Sequence, residues 1–250
     1  MAGAGVPHSA AIVGAGAVGT TLGGRLLEAG WEVRYASRDP QHSRKLRDAL
    51  RRQPGASGGG IAEAVQWAGG GGAQGAVLLT VPGSALASDA ACAELAAGLG
   101  PAAAGATVID ATNPLDRHGN ELCWARGRSS AEALQEALPG SFVYKALNTV
   151  GVEHMARPEG ALSTEGSHRP TLMFAGPAER RERVAALVAA VGFGPVWVGN
   201  LRHARNLEAL AELYIHLGAG IEGPDWSAPD GTRPYHFQVL RGGGSGESQG

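Results

Sequence analysis

The segment AIVGAGAVGTTLGGRLLEAG, residues 11–30, limits the fold of this chain more than any other. Gly14, Gly16 and Gly19 stand in the spacing G-x-G-x-x-G, after an apolar run at 10–13 and before a helical pattern at 18–28. Each glycine has its own physical role in that setting. Gly14 makes the tight turn off a strand, Gly16 keeps side-chain bulk away so that the backbone can approach a pyrophosphate, and Gly19 lets the helix pack close to the strand. The helix N-terminus, with Ala17 and Val18 in its first turn, then offers unpaired N–H groups and a partial positive charge to phosphates. With 40 glycines in 250 residues the bare spacing can arise by chance. The strand before it, the helix after it and a second apolar run at 32–36 make it a dinucleotide loop.

The rest of the chain repeats the alternation of a parallel sheet with crossover helices. Runs at 10–13, 32–36, 76–80, 107–110, 142–147 and 171–175, and a shorter one at 196–198, read as strands. Helical patterns fall at 18–28, 61–67, 84–99, 131–138, 178–191 and 201–217, with a further helix from Gln41. The glycine-rich stretches 55–60 and 69–75 read as loops. The expected fold is α/β: a doubly wound parallel Rossmann sheet over 8–199, joined late by the strands at 171–175 and 196–198. A helical C-terminal extension follows at 200–223, then an irregular tail at 224–250 whose glycine-rich end reads as disordered. Leu207, Leu210, Tyr214 and Leu217 share one face of the last helix, which serves either a dimer contact or its own domain.

Composition narrows the class of partner. A formal net charge of -2 and a pI near 6.4 give no reason to expect nucleic acid or an anionic membrane. No run reaches the roughly 18 apolar residues of a membrane span, and the first ten residues lack a signal-peptide pattern. Cys92 and Cys123 suit a reducing cytoplasm. The histidines and cysteines lack metal-ligand spacing, so no metal is expected. The excess of Ala, Gly and Arg, against only Lys45 and Lys145 as lysines, has the look of a GC-rich bacterial genome.

The choice of dinucleotide is read where the second strand ends. An NAD site places Asp or Glu there, to accept from the ribose 2′-hydroxyl. Here the strand ends Tyr35-Ala36-Ser37-Arg38. A guanidinium pairs bidentately with phosphate and a hydroxyl adds one more bond, which points to NADP(H). Asp39 begins the next turn or caps the following helix.

Ligands of such sheets lie outside the carboxyl ends of the strands. Thr80, Val81 and Pro82 end one strand, and Asn113 and Pro114 follow another; both are candidates for cofactor contact. Lys145 stands inside an apolar run, where a charge is costly unless paired. It is either a proton donor to a substrate or a structural partner of Asp110. Asn148 and Thr149 follow at that strand's end and are candidates for the nicotinamide side. Trp124 and Trp226 either line a pocket or pack.

The segments GAGAVGTTLGGRL, ASRDP, LLTVPG, DATNPL, KALNTVG and VGFGPVWVGNLRHARNLEALAEL, in this order, resemble the small bacterial and archaeal NADP(H) oxidoreductases related to the coenzyme F420-dependent NADP oxidoreductase. The cytosolic domain of eukaryotic membrane metalloreductases is similar. The resemblance runs from about Ala10 to Leu217. It implies 2′-phosphate binding by Ser37 and Arg38, a cofactor-lining loop at Thr80, Val81 and Pro82, a nicotinamide-side segment at Asn148, Thr149 and Val150, and a homodimer. It also implies hydride transfer between NADP(H) and a small acceptor: a flavin, coenzyme F420, or a C=N or C=O group. Gly83 and Asn148 depart from the deazaflavin pattern, which carries a bulky aromatic and a histidine there. A protein that binds NADP(H) as a sensor without turnover is the other class open to this sequence.

Overall fold

The computed structural model describes residues 8–70, 75–116, 121–124, 127–161, 169–218 and 235–240. Six strands form one fully parallel sheet: β1 (Ser9–Val13), β2 (Glu32–Ser37), β3 (Ser57–Gly60), β4 (Gly75–Leu79), β5 (Thr107–Asp110) and β6 (Phe142–Lys145). Their order across the sheet is β3-β2-β1-β4-β5-β6. The chain reverses direction across the sheet between β1 and β4, the switch point at which such sheets bind ligands. Every residue of β1 and β4 is buried, as a central strand covered on both faces requires.

Helices α1 (Ala17–Glu28), α2 (Arg44–Arg52), α3 (Ile61–Gly70), α4 (Asp89–Leu99), α5 (Ser130–Ala137) and α6 (Val152–Ala156) flank the sheet or follow its last strand. Two apolar cores result. One centres on Ile12, Leu22, Tyr35 and Tyr144, the other on Val13, Leu79, Leu99 and Val143. A single helix over 84–99 is not formed. Residues Gly83–Leu86 make a 3-10 turn, and Ser88 starts α4 afresh by accepting from the Ala91 N–H. Likewise α2 begins at Arg44 rather than Gln41, with the Ser43 hydroxyl capping Leu46.

The stretch expected as a loop at 55–60 contains β3. Glycine disfavours strands, so SGGG carries no strand signal. Its place comes from tertiary context: it pairs with β2 from Arg34–Ser57 to Ser37–Gly60. A Cβ on Gly58 would meet Leu50 Cδ1 at 2.9 Å.

The late strands β7 (Thr171–Phe174) and β8 (Gly194–Trp197) do not extend the main sheet as expected. They form a separate parallel pair, with helix α7 (Arg181–Val191) between them in sequence. One antiparallel bridge, Lys145–Ala175, ties this pair to β6. The β6 strand also ends earlier than expected, because Leu147 turns the backbone into the left-handed region at φ 65°.

The last helix, α8 (Ala204–Gly218), lies on its own domain. Of the face sketched as a dimer contact, Leu207 and Tyr214 are buried within the chain, while Leu210 and Leu217 are half-buried. Part of the expected irregular tail packs too. In 235–240, Gln238 Oε1 accepts from the Thr171 N–H at 2.8 Å, Val239 N–H donates to Thr171 Oγ1 at 2.8 Å, and His236 stacks on Phe193. Trp226 and the remainder of the tail lie outside the described residues. Among the described residues no helix is long and apolar enough to cross a membrane.

Candidate dinucleotide groove and the strand ends beside it

The three loop glycines differ in what surrounds them, and the differences match their separate roles. Gly14 sits at φ 109°, a turn conformation costly to side chains. A Cβ on Gly19 would lie 2.0 Å from the Gly14 carbonyl oxygen, so its bareness serves close packing. A Cβ on Gly16 would meet nothing within 4 Å. The protein itself does not require glycine there; the empty space in front of it is groove. The first helical N–H groups of α1 have no side-chain cap, and no acidic residue stands in its first turn. That leaves the donors and the positive end of the helix to an anionic ligand.

Around this loop lies a groove of about 380 Å³. Gly14, Gly16, Ala17, Val18, Ser37, Arg38, Thr80, Val81 and Pro82, all expected as cofactor residues, line it. Arg38 is exposed and is in no salt bridge among the described residues. Asp39, one residue on, is engaged elsewhere: its carboxylate accepts from the His42 N–H at 3.1 Å and lies 2.9 Å from His42 Nδ1. No carboxylate lines the groove. Sequence reading missed Lys45 and Ser43, which line it from the start of α2. The signal was there, since Lys45 is one of two lysines in an arginine-rich chain. A second cavity of about 310 Å³ shares Val13, Arg38, Ile61, Val81 and Pro82 and runs on to Ala91, Glu94 and Leu95.

Thr80 lines the groove but directs its hydroxyl into the loop. Its Oγ1 donates to the Gly14 carbonyl at 2.8 Å, which fastens the end of β4 to the glycine turn. Gly83 brings the next strand end in. A Cβ there would lie 2.0 Å from the Asn113 carbonyl oxygen, so the loops after β4 and β5 touch backbone to backbone. Asn113 Nδ2 in turn donates to the Asn148 carbonyl at 2.9 Å, and Asn148 Nδ2 donates to the Leu207 carbonyl at 3.0 Å. Thr149, beside Asn148, is buried. The side-chain oxygens of Asn148 and Thr112 are buried without a hydrogen-bond partner among the described residues. Orphaned polar atoms cost stability and mark places where a ligand can supply the missing partner. Asn113, Pro114, Asn148 and Thr149 thus form a second group, joined to the groove through Gly83 but not lining it.

Lys145 belongs to neither group. It is fully buried, with its Nζ 2.8 Å from Asp110 Oδ2 and 3.0 Å from Glu208 Oε1. Burial alone would push the ammonium's pKa down; the two carboxylates outweigh it and hold the pKa above the ordinary lysine value. Ser130 completes the cluster, with its Oγ 3.1 Å from Lys145 Nζ and its N–H donating to Glu208 at 3.0 Å. Of the two readings open in the sequence, the geometry is that of the structural partner of Asp110. Glu208 could not be found from sequence, because it reaches the cluster from a helix far along the chain. Trp124 packs, donating to the Leu86 carbonyl at 2.6 Å beneath Arg128.

Residues 9–114 match the model of the family described as NADP oxidoreductase, coenzyme F420-dependent. No curated protein matches the chain. Among solved structures the chain is similar to a protein from Arthrobacter sp. FB24 to which F420-dependent NADP-reductase activity has been ascribed. Their identity is 26% and the TM-score 0.74, over 93% of this chain and 99% of that one. A hypothetical protein from Sinorhizobium meliloti is also 26% identical, with a TM-score of 0.59 over 78% of this chain and 86% of that one. An imine reductase from Streptomyces aurantiacus shares the fold at 17% identity and a TM-score of 0.55, over 85% of this chain and 62% of that one.

Proposed function

We propose that this chain, with its oxidoreductase-family domain at 9–114, is an NADPH-dependent reductase of a small acceptor. The observation that carries the reading is that Ser37, Arg38, Ser43 and Lys45 line the same groove that Gly16 leaves open. Two cations and two hydroxyls, with no carboxylate, suit a 2′-phosphate and not a bare ribose diol. The first turn of α1 faces the pyrophosphate, and Val81 and Pro82 lie along the ribose. The cavity toward Leu95 takes the adenine. Asn148 and Thr149 hold the nicotinamide end, with Asn113 and Pro114 beside them.

NADPH, when bound, supplies a hydride from C4 of its ring. The protein's part is position and electrostatics. Lys145 is engaged by two carboxylates and gives no proton to the acceptor. That favours an acceptor ring that takes hydride without a strong protein acid: a flavin or a deazaflavin such as coenzyme F420. A C=N or C=O acceptor needs its proton from water or from Thr149. A homodimer, implied by the resemblance, has only the part of α8 around Leu210, Leu213 and Leu217 to offer from that helix, since Leu207 and Tyr214 are buried. The two free cysteines suit the cytoplasm.

The test is NADPH oxidation, followed by nicotinamide absorbance, against riboflavin, FMN, a deazaflavin, a cyclic imine and a ketone. Turnover with a flavin or deazaflavin is the expected result. Tight NADPH binding with no turnover across the panel would replace this reading with that of a non-catalytic sensor.

A further inference from the structure

We infer that α8 is the positioning element of the nicotinamide end, acting through Glu208 and Tyr214; the inference rests on the reading of Asn148 and Thr149 given above. Five bonds from this one helix reach the end of β6 and the segments that follow β5 and β6. The Leu207 carbonyl accepts from Asn148 Nδ2 at 3.0 Å. Glu208 accepts from Lys145 Nζ at 3.0 Å and from the Ser130 N–H at 3.0 Å. Glu212 Oε1 accepts from the Leu122 N–H at 3.2 Å. Tyr214 Oη accepts from the Gly151 N–H at 3.1 Å, three residues beyond Asn148. The phosphate groove, by contrast, is lined from β1, β2, the loop after β4 and the loops and helix starts beside them.

The chemistry of these bonds is costly for a helix that only needs to stay attached. Two carboxylates and one ammonium are buried together, and apolar side chains of similar volume generally hold such a place at least as stably. Directional bonds to charged groups do something that apolar packing does less well: they fix one register. The register matters here because the segment they hold is strained. Leu147 keeps φ at 65°, a conformation that persists only when its surroundings over-determine it. Lys145 is anchored on one side of Leu147, and Asn148 and Gly151 on the other, each through α8. Asn148 Nδ2 is thereby turned to Leu207, and its Oδ1 is left buried and without a partner among the described residues.

The experiment uses the full chain and three variants: Tyr214→Phe, Glu208→Gln, and Leu213→Ser, a half-exposed control on the same helix. Calorimetry with NADPH reads the phosphate end, and the fluorescence and anisotropy of bound NADPH read the nicotinamide ring directly, without turnover. Tyr214→Phe and Glu208→Gln should keep NADPH affinity within about twofold while the ring signal moves toward that of free NADPH. With a working acceptor, kcat should fall about five- to tenfold, the weight of one hydrogen bond, at unchanged KM for NADPH. Leu213→Ser should match wild type. Tyr214→Phe removes a single oxygen and keeps the ring, so it reports even if the Glu208 variant unfolds. Wild-type ring signal and kcat in the folded variants, with only a lower Tm, would make α8 a purely structural cover and overturn the inference. Equal losses in affinity and ring signal would overturn it too. A wild-type protein that binds NADPH without any change in ring emission would instead refute the nicotinamide assignment, and the inference with it.

Discussion

Asn113 and Asn148 clasp each other across the ends of β5 and β6: Asn113 Nδ2 donates to the Asn148 carbonyl at 2.9 Å, and Asn148 Nδ2 lies 3.3 Å from Asn113 Oδ1. The clasp joins two loops far apart in sequence into one wall. Removing the Asn148 side chain loosens that wall without touching the phosphate groove. Asn148→Ala should therefore slow hydride transfer while leaving NADPH affinity nearly unchanged, as for an interaction made mainly in the transition state. Single-turnover oxidation of bound NADPH checks this, and full activity in the variant would remove Asn148 from the active site.

On the proposed reading, Arg38 decides between the two dinucleotides. The wild type should bind NADPH at least ~10-fold more tightly than NADH, if the charged contacts contribute about 1.5–3 kcal/mol. Arg38→Ala should remove most of that preference, and Lys45→Ala part of it. Calorimetric titration with both cofactors measures it; equal wild-type affinities would contradict the 2′-phosphate assignment.

Gly16 and Gly19 should respond in opposite ways to added bulk. Gly16→Val places its side chain in the groove, where a Cβ meets no protein atom, so NADPH binding is lost and the melting temperature stays near wild type. Gly19→Ala drives a Cβ to 2.0 Å from the Gly14 carbonyl oxygen and should destabilise the fold by roughly 1–3 kcal/mol. Thermal melts with and without NADPH separate the two. Normal NADPH titration of Gly16→Val would show that the pyrophosphate lies elsewhere.

Lys145→Met should be the most damaging of these changes to stability. It leaves Asp110 and Glu208 buried together with no cation, at a cost of about 3–5 kcal/mol. Denaturant unfolding gives the value. A loss below about 1 kcal/mol would mean that one carboxylate takes up a proton at little cost.

His236 gives the fold a dependence on acid. Burial, with His154 adding to it, lowers its pKa below the ordinary 6.5, against the opposing hydrogen bonds to Thr171 and Gln238. The neutral form is the one that packs, so its contribution is complete above 6.5 and is lost as pH falls through the folded value. Melting temperature should drop on acidification in this window, and less so in His236→Gln. Identical pH profiles for the two proteins would assign the acid sensitivity to other groups.

The first two strands and the glycine loop between them could be read from residues 11–38 because local chemistry alone dictates them. An apolar run, three spaced glycines and a hydroxyl–guanidinium pair need no distant partner to be recognised. What escaped depends on contacts across the chain. The SGGG strand exists only because β2 offers an edge, and β7 and β8 read as late strands of the same sheet until their placement is seen. Lys145 stood out by its cost in an apolar run, yet its role turns on Glu208, which no spacing rule connects to it. Gly83 carried no signal of its own; its meaning lies in the Asn113 carbonyl it touches.

The reach of α8 also orders events in the making of the protein. Asp110 and Lys145 leave the ribosome well before Glu208, which is 78 residues downstream of Ser130. A nascent chain assembling from its N-terminus can pair the first two as soon as β5 and β6 align. It meets Glu208, the Leu207 carbonyl and Tyr214 only with the last helix. Until then the glycine loop and the Arg38 end are complete, while the wall of Asn113 and Asn148 lacks its backing. On the proposed reading, a growing chain therefore completes the phosphate end of its groove before the nicotinamide end.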